Sequence, residues 1–190
     1  SLLASKWLKR MASTSNNIKT AAVAWTASQL AAAFWQFSLV FYPSRQPLLL
    51  RLQDEHQANI NVLLGICWLS LQQRQLTSTQ LRQILSALEP VNQQVTRPLR
   101  QIRRSLQADT LQFKHALLAV ELQAEQAEQQ AIAEVLAKCW YQLESLSSAH
   151  TALQAYCALC QTDLSSLPSL LVDLDQAIRG YTPGLGETLI

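Results

Sequence analysis

The 190-residue chain carries 15 Lys and Arg against 13 Asp and Glu, and its formal charge of +2 lacks the clustered cation excess on which phosphate neutralisation in nucleic-acid binding rests. Its length suits one hydrophobic core that needs neither disulfides nor metals to close. Only four glycines occur, three of them in the last dozen residues, which describes helices with few sharp turns and excludes a strand-rich fold.

The charge is unevenly spread, because Lys6, Lys9, Arg10, Lys19, Arg45 and Arg51 all precede the first acid, Asp54, and residues 20–44 carry no charge. A basic leader before an apolar stretch is the pattern of a signal peptide or membrane span. Here Thr20, Thr26, Ser28, Gln29, Gln36 and Ser38 interrupt the stretch, so a soluble amphipathic helix is expected, with membrane-surface attachment through the basic N-terminus kept as an alternative. Residues 1–19 are expected to form a flexible basic extension, of which residues 1–10 precede the only methionine, Met11. Residues 20–180 are expected to form one helical domain and residues 181–190 a flexible tail.

The first helix is expected from about Ala21 to Tyr42, ending at Pro43, with a turn at Pro43-Ser44-Arg45-Gln46-Pro47, since proline disfavours helix at itself and in the residue before it. A second runs from Leu48 to His56. Residues 59–71 are apolar on nearly every side and mark a central helix surrounded by others. Ser78 offers a cap for a helix that Pro90 ends, and the next spans about Val91 to Gln107 with a kink at Pro98. Asp109 or Thr110 caps the longest helix, about Leu111 to Leu146, and two further helices fall near 149–161 and 168–179. The expected fold is therefore all-α, a single-domain bundle of seven to eight helices.

Cys67, Cys139, Cys157 and Cys160 lie in apolar helical stretches, where free cysteine behaves as a small buried hydrophobe. Cys157-Ala158-Leu159-Cys160 has the spacing of zinc and redox motifs, but no second such pair accompanies it, so reduced thiols and a cytoplasmic setting are expected.

The feature most pointed towards function is Glu121, Glu125 and Glu128 on the longest helix. At about 100° per residue they share an arc of about 60° and fall in the middle of the apolar side, which includes Leu118, Ile132 and Leu136. Carboxylates on such a face need partners. The best cations are Arg97, Arg100 and Arg104, which also share an arc of about 60°. Facing stripes would form a buried Glu/Arg polar layer, joined by Gln53 and Asn61 as hydrogen-bond partners. Metal is not expected, because no Glu-x-x-His pair accompanies the glutamates. No phosphate loop, nucleophile elbow or zinc-protease motif is present, and no cofactor is expected.

At these residues the chain resembles a gammaproteobacterial family catalogued only as domain of unknown function 2390. The resemblance rests on four blocks: residues 35–42; Leu52-Gln53 with residues 60–64 and Trp68; Arg97-Pro98-Leu99-Arg100 with Arg103-Arg104; and Glu121-Leu122, Ala124-Glu125 and Glu128. It covers roughly Phe34 to Gln130. Two departures stand out: Val91 replaces an aromatic, and Gln57-Ala58-Asn59 replaces the more usual Gly-Ala-Asp. The resemblance implies a cytoplasmic helical protein without an assigned activity. The leading expectation is a non-enzymatic scaffold or protein-interaction module with the Glu/Arg layer as an internal lock. The alternative is a small anionic ligand-binding protein or enzyme using that layer. Homo-oligomerisation and the identity of a protein partner are left open.

Overall fold

The computed structural model describes residues 24–160 and 166–182. The expected extension over residues 1–19 and nearly all of the expected tail lie outside them. Among the described residues the order is α1 (Ala27–His56), α2 (Ile60–Leu71), β1 (Arg74–Gln75), α3 (Ser78–Val91), a π-turn (Asn92–Thr96), α4 (Arg97–Ser105), a 3-10 turn (Ala108–Phe113), α5 (Lys114–Cys139), a second 3-10 turn (Trp140–Gln142), β2 (Glu144–Ser145), α6 (Ala149–Cys160) and α7 (Leu167–Arg179). The all-α class is as expected. Because α3, the π-turn and α4 run on without interruption, the described residues hold six helical rods rather than seven or eight.

The prolines account for the difference. Pro43 and Pro47 sit inside α1 and do not end it. They are four residues apart and both exposed, so the carbonyls of Leu39 and Pro43, which lose their usual N–H partners, lie on a solvent-facing side where water can replace them. The opposite side buries Leu30, Phe34, Phe37, Phe41, Leu49 and Leu52, each contributing about 1.5–3 kcal/mol. That apolar stripe holds the rod together across the proline step. Thr26 starts α1 with a capping box, its side chain accepting from the Gln29 amide at 3.2 Å while Gln29 Oε1 accepts from the Thr26 amide at 3.0 Å.

The central helix is as buried as its composition implies, with every residue from Asn61 to Ser70 inside. Phe34 of α1 stacks on Trp68 at 5.4 Å between ring centres, and a methyl group on Gly65 would lie 3.5 Å from the Phe34 ring. Thr77, not Ser78, caps α3, again with a capping box to Gln80. Pro90 lies inside α3 on the exposed side and does not stop it. A π-turn stands just before Pro98, where a kink is expected from the sequence. Pro98 lies within the continuous rod directly after the π-turn, and the Arg97 amide before it reaches back five residues to the Asn92 carbonyl.

α5, expected to be the longest helix, is shorter than expected at both ends and, at 26 residues, shorter than the 30-residue α1. Gln107 and Thr110 cap a 3-10 turn before it, and beyond Cys139 the chain tightens and pairs antiparallel with β1, Arg74 opposite Ser145 and Gln75 opposite Glu144. α1 packs chiefly against α5, and α3 against α5, so α5 is the spine of the molecule. Leu118, expected on its buried side, is exposed. No helix among the described residues is long and apolar enough to cross a membrane.

Candidate functional site

The three glutamates lead to three different environments. Glu121 is 5% exposed and receives two guanidinium groups: Arg103 Nε donates at 2.6 Å and Arg103 Nη2 at 3.2 Å, while Arg100 Nε donates at 3.3 Å. Burial raises the Glu121 carboxyl, but the two arginines outweigh it and hold the group below the ordinary carboxylate value. Glu125 receives only Arg100 Nη2, at 3.5 Å. Burial raises its pKa, Arg100 opposes the rise, and the charges of Glu121 and Glu128 add to it.

Glu128 meets no arginine. It is 1% exposed and lies among three asparagine amides. Oε2 accepts from Asn59 Nδ2 at 3.0 Å and Asn61 Nδ2 at 2.9 Å, and Oε1 accepts from Asn92 Nδ2 at 3.0 Å. Each amide is brought there by a distinct backbone feature. Asn59 caps α2, its Oδ1 accepting from the Val62 amide at 3.1 Å, which leaves its Nδ2 for Glu128. Asn61 occupies the first turn of α2. Asn92 opens the π-turn, whose extra residue turns it inward; such wide turns are frequent at functional sites. Gln129, also buried, donates to Ser38 Oγ at 2.9 Å and Asn61 Oδ1 at 2.9 Å, but its own Oε1 has no hydrogen-bond partner.

This cradle is the floor of a cavity of about 510 Å³ that opens to solvent between α1, α2, α4 and α5. Trp35, Leu39 and Tyr42 form an aromatic and apolar wall, drawn from α1 before the two prolines; Gln53, Asp54 and the cap residue Gln57 come from beyond them. Arg97, Arg100 and Arg104 line the mouth. The charges in the lining balance, three arginines against Asp54, Glu125 and Glu128. Arg104 is taken by Asp54 at 3.2 Å and Arg100 by Glu121 and Glu125. Arg97 makes no ion pair among the described residues.

The expected stripe of Arg97, Arg100 and Arg104 thus does not face the glutamates as a set. The interaction is rotated by one arginine: Arg100 and Arg103 reach the acids, Arg104 turns to Asp54, and Arg97 stays exposed at the mouth. Gln53 lies in the lining and donates to Asp54 Oδ1 at 3.3 Å; Asn61 is central to the cradle. Asn59, Asn92, Gln129, Trp35 and Tyr42 complete the site without having been expected in it, although Trp35 and Tyr42 bound the first block of the resemblance and Asn59 falls in one of its departures. An asparagine before a helix reads as a cap, and a glutamine in a glutamine-rich helix carries no distinguishing pattern. The phase break at the π-turn hid Asn92.

No group of three or more His, Cys, Asp or Glu suited to a metal ion occurs among the described residues. Cys67, Cys139 and Cys157 are buried and Cys160 is partly so; burial pushes the Cys157 thiol up to about 12, which is opposite to what a nucleophile or metal ligand needs.

Residues 33–132, 100 of the 190, match the profile of a family described as Protein of unknown function (DUF2390). No curated protein and no solved structure matches the chain.

Proposed function

The chain belongs to the DUF2390 family, whose matched segment contains every residue that lines the cavity, and we propose that this cavity is a binding site for a small polar molecule. The observation that carries the reading is the Glu128 cradle. Three asparagine side chains from two separate segments, the start of α2 and the π-turn, converge on a buried carboxylate that lines an open cavity. A purely structural lock needs no such opening. Concave, partly aromatic cavities with a few converging polar groups are the usual form of small-molecule sites.

The Arg100/Arg103–Glu121 cluster has the features of the expected lock, standing beside the cavity and tying α4 to α5. The reading includes a cytoplasmic setting, supported by four unpaired cysteines. A polar fragment library screened by ligand-observed NMR tests it. Hits should perturb the Trp35 indole N–H, assigned through Trp35→Phe, and a screen whose hits all leave that resonance unmoved would sink the proposal.

One observation favours the interaction-module reading as a second role. Ile102, Leu111, Phe113, Leu118 and Val120 are exposed apolar side chains on α4, the following 3-10 turn and the start of α5. If they serve association, Phe113→Asp lowers the mass measured by light scattering or abolishes partner capture; an unchanged monomer in both proteins rules this out for self-association.

A further inference from the structure

The cavity has a polarity that narrows its ligand. Two of its lining groups lack a partner among the described residues, one buried and one exposed, and they are of opposite character. Gln129 Oε1 is buried without a donor, and Glu128, joined to Gln129 through Asn61, has an Oε1 that accepts one hydrogen bond where a carboxylate oxygen can accept two. At the mouth, Arg97 carries a positive charge with no acid paired to it among the described residues, whereas Arg100 and Arg104 are already engaged. The Trp35 and Tyr42 rings line the same cavity.

Resting on the cavity being a ligand site, we infer that it takes a zwitterionic small molecule, with an ammonium or other multiple N–H donor directed inward to Glu128 and Gln129 and an acidic group held at the mouth by Arg97. An orphaned buried acceptor has lost its water without gaining a partner, and a bound N–H donor removes that penalty. An anion directed inward would instead meet a carboxylate and an amide oxygen. The aromatic wall suits a planar or apolar middle section. This reverses the orientation expected from an arginine-lined site, in which an anion would be drawn to the glutamate–arginine layer itself. The reversal arises because the arginines nearest the layer are consumed by Glu121, Glu125 and Asp54.

The test uses three probes that share one ring: 4-(aminomethyl)benzoate, benzylamine and 4-methylbenzoate, each titrated into the full chain while the Trp35 indole N–H is followed by NMR. The expected order of affinity is zwitterion, then amine, then carboxylate, with about tenfold between benzylamine and 4-methylbenzoate. The exposed Arg97→Ala variant should lower the zwitterion to the level of benzylamine, and Gln129→Met should weaken benzylamine without affecting 4-methylbenzoate. Tighter or equal binding of 4-methylbenzoate overturns the inferred orientation but leaves the cavity as a ligand site. Absence of binding by all three overturns the ligand class, whereas the cavity reading itself fails only if the wider fragment library also leaves Trp35 unmoved.

Discussion

Glu128 owes its position to neutral partners. Three amide N–H groups at 2.9–3.0 Å satisfy a carboxylate that an arginine would have neutralised and closed over, and so leave it available beneath an open cavity. Glu128→Gln keeps the shape but turns one acceptor into a donor facing an asparagine NH₂, and a loss of about 1–3 kcal/mol in urea unfolding is expected. Glu121 behaves differently with pH. Its folded pKa lies below the ordinary 4.5, so its stabilising contribution is present above 4.5 and is lost as pH falls through the lower folded value. Glu125 has the opposite sign: its charged form opposes folding at neutral pH, and that cost is relieved as pH falls through its raised value. Glu121→Gln should therefore be less stable at pH 7 yet lose less stability between pH 4.5 and 3, as read from urea midpoints across that range. Gln57, at φ 56°, occupies the left-handed conformation where the resembled family more often has glycine; Gln57→Gly should raise stability by about 1 kcal/mol. Asn59 explains the companion departure from aspartate, since an acid there would cap α2 but could not donate to Glu128.

At the scale of elements, α1 and the α3–π–α4 rod shape the site. α1 carries lining residues from both sides of Pro43 and Pro47, so its continuity keeps Trp35 and Asp54 in one wall. Pro43→Ala with Pro47→Ala should restore two backbone hydrogen bonds and stabilise the protein by about 1–2 kcal/mol, after allowing for the freer unfolded chain. A loss of stability instead would mean that a turn is preferred there, as local propensity alone predicts. Local rules failed at these prolines because an apolar stripe extending through them outweighs two lost N–H donors. They succeeded for α2, where unbroken hydrophobicity dictates burial whatever the neighbours. α4 buries none of its residues and is held against α5 by arginine–carboxylate contacts, which is why its arginines were legible as partners for the glutamates while their exact pairing was not. The choice between Arg103 and Arg104 depends on where α5 lies around α4, a tertiary fact.

For the whole molecule, α5 is the spine, with α1 and α3 packed along it and α2 enclosed. The carboxylates on its otherwise apolar side were legible as an anomaly needing partners. The cavity was not, because it depends on the spacing of four helices and on amides that resemble ordinary caps. Burying Glu128 there is an expense that a folded chain does not otherwise require. The most direct measurement of the central claim is native mass spectrometry of the full chain incubated with a small-molecule cell extract, alongside a variant whose cavity is filled by Leu39→Trp. A small-molecule adduct on the wild type that is absent from the filled variant is predicted. Bare protein in both samples, or the same adduct on both, would contradict a ligand site in the Glu128 cavity.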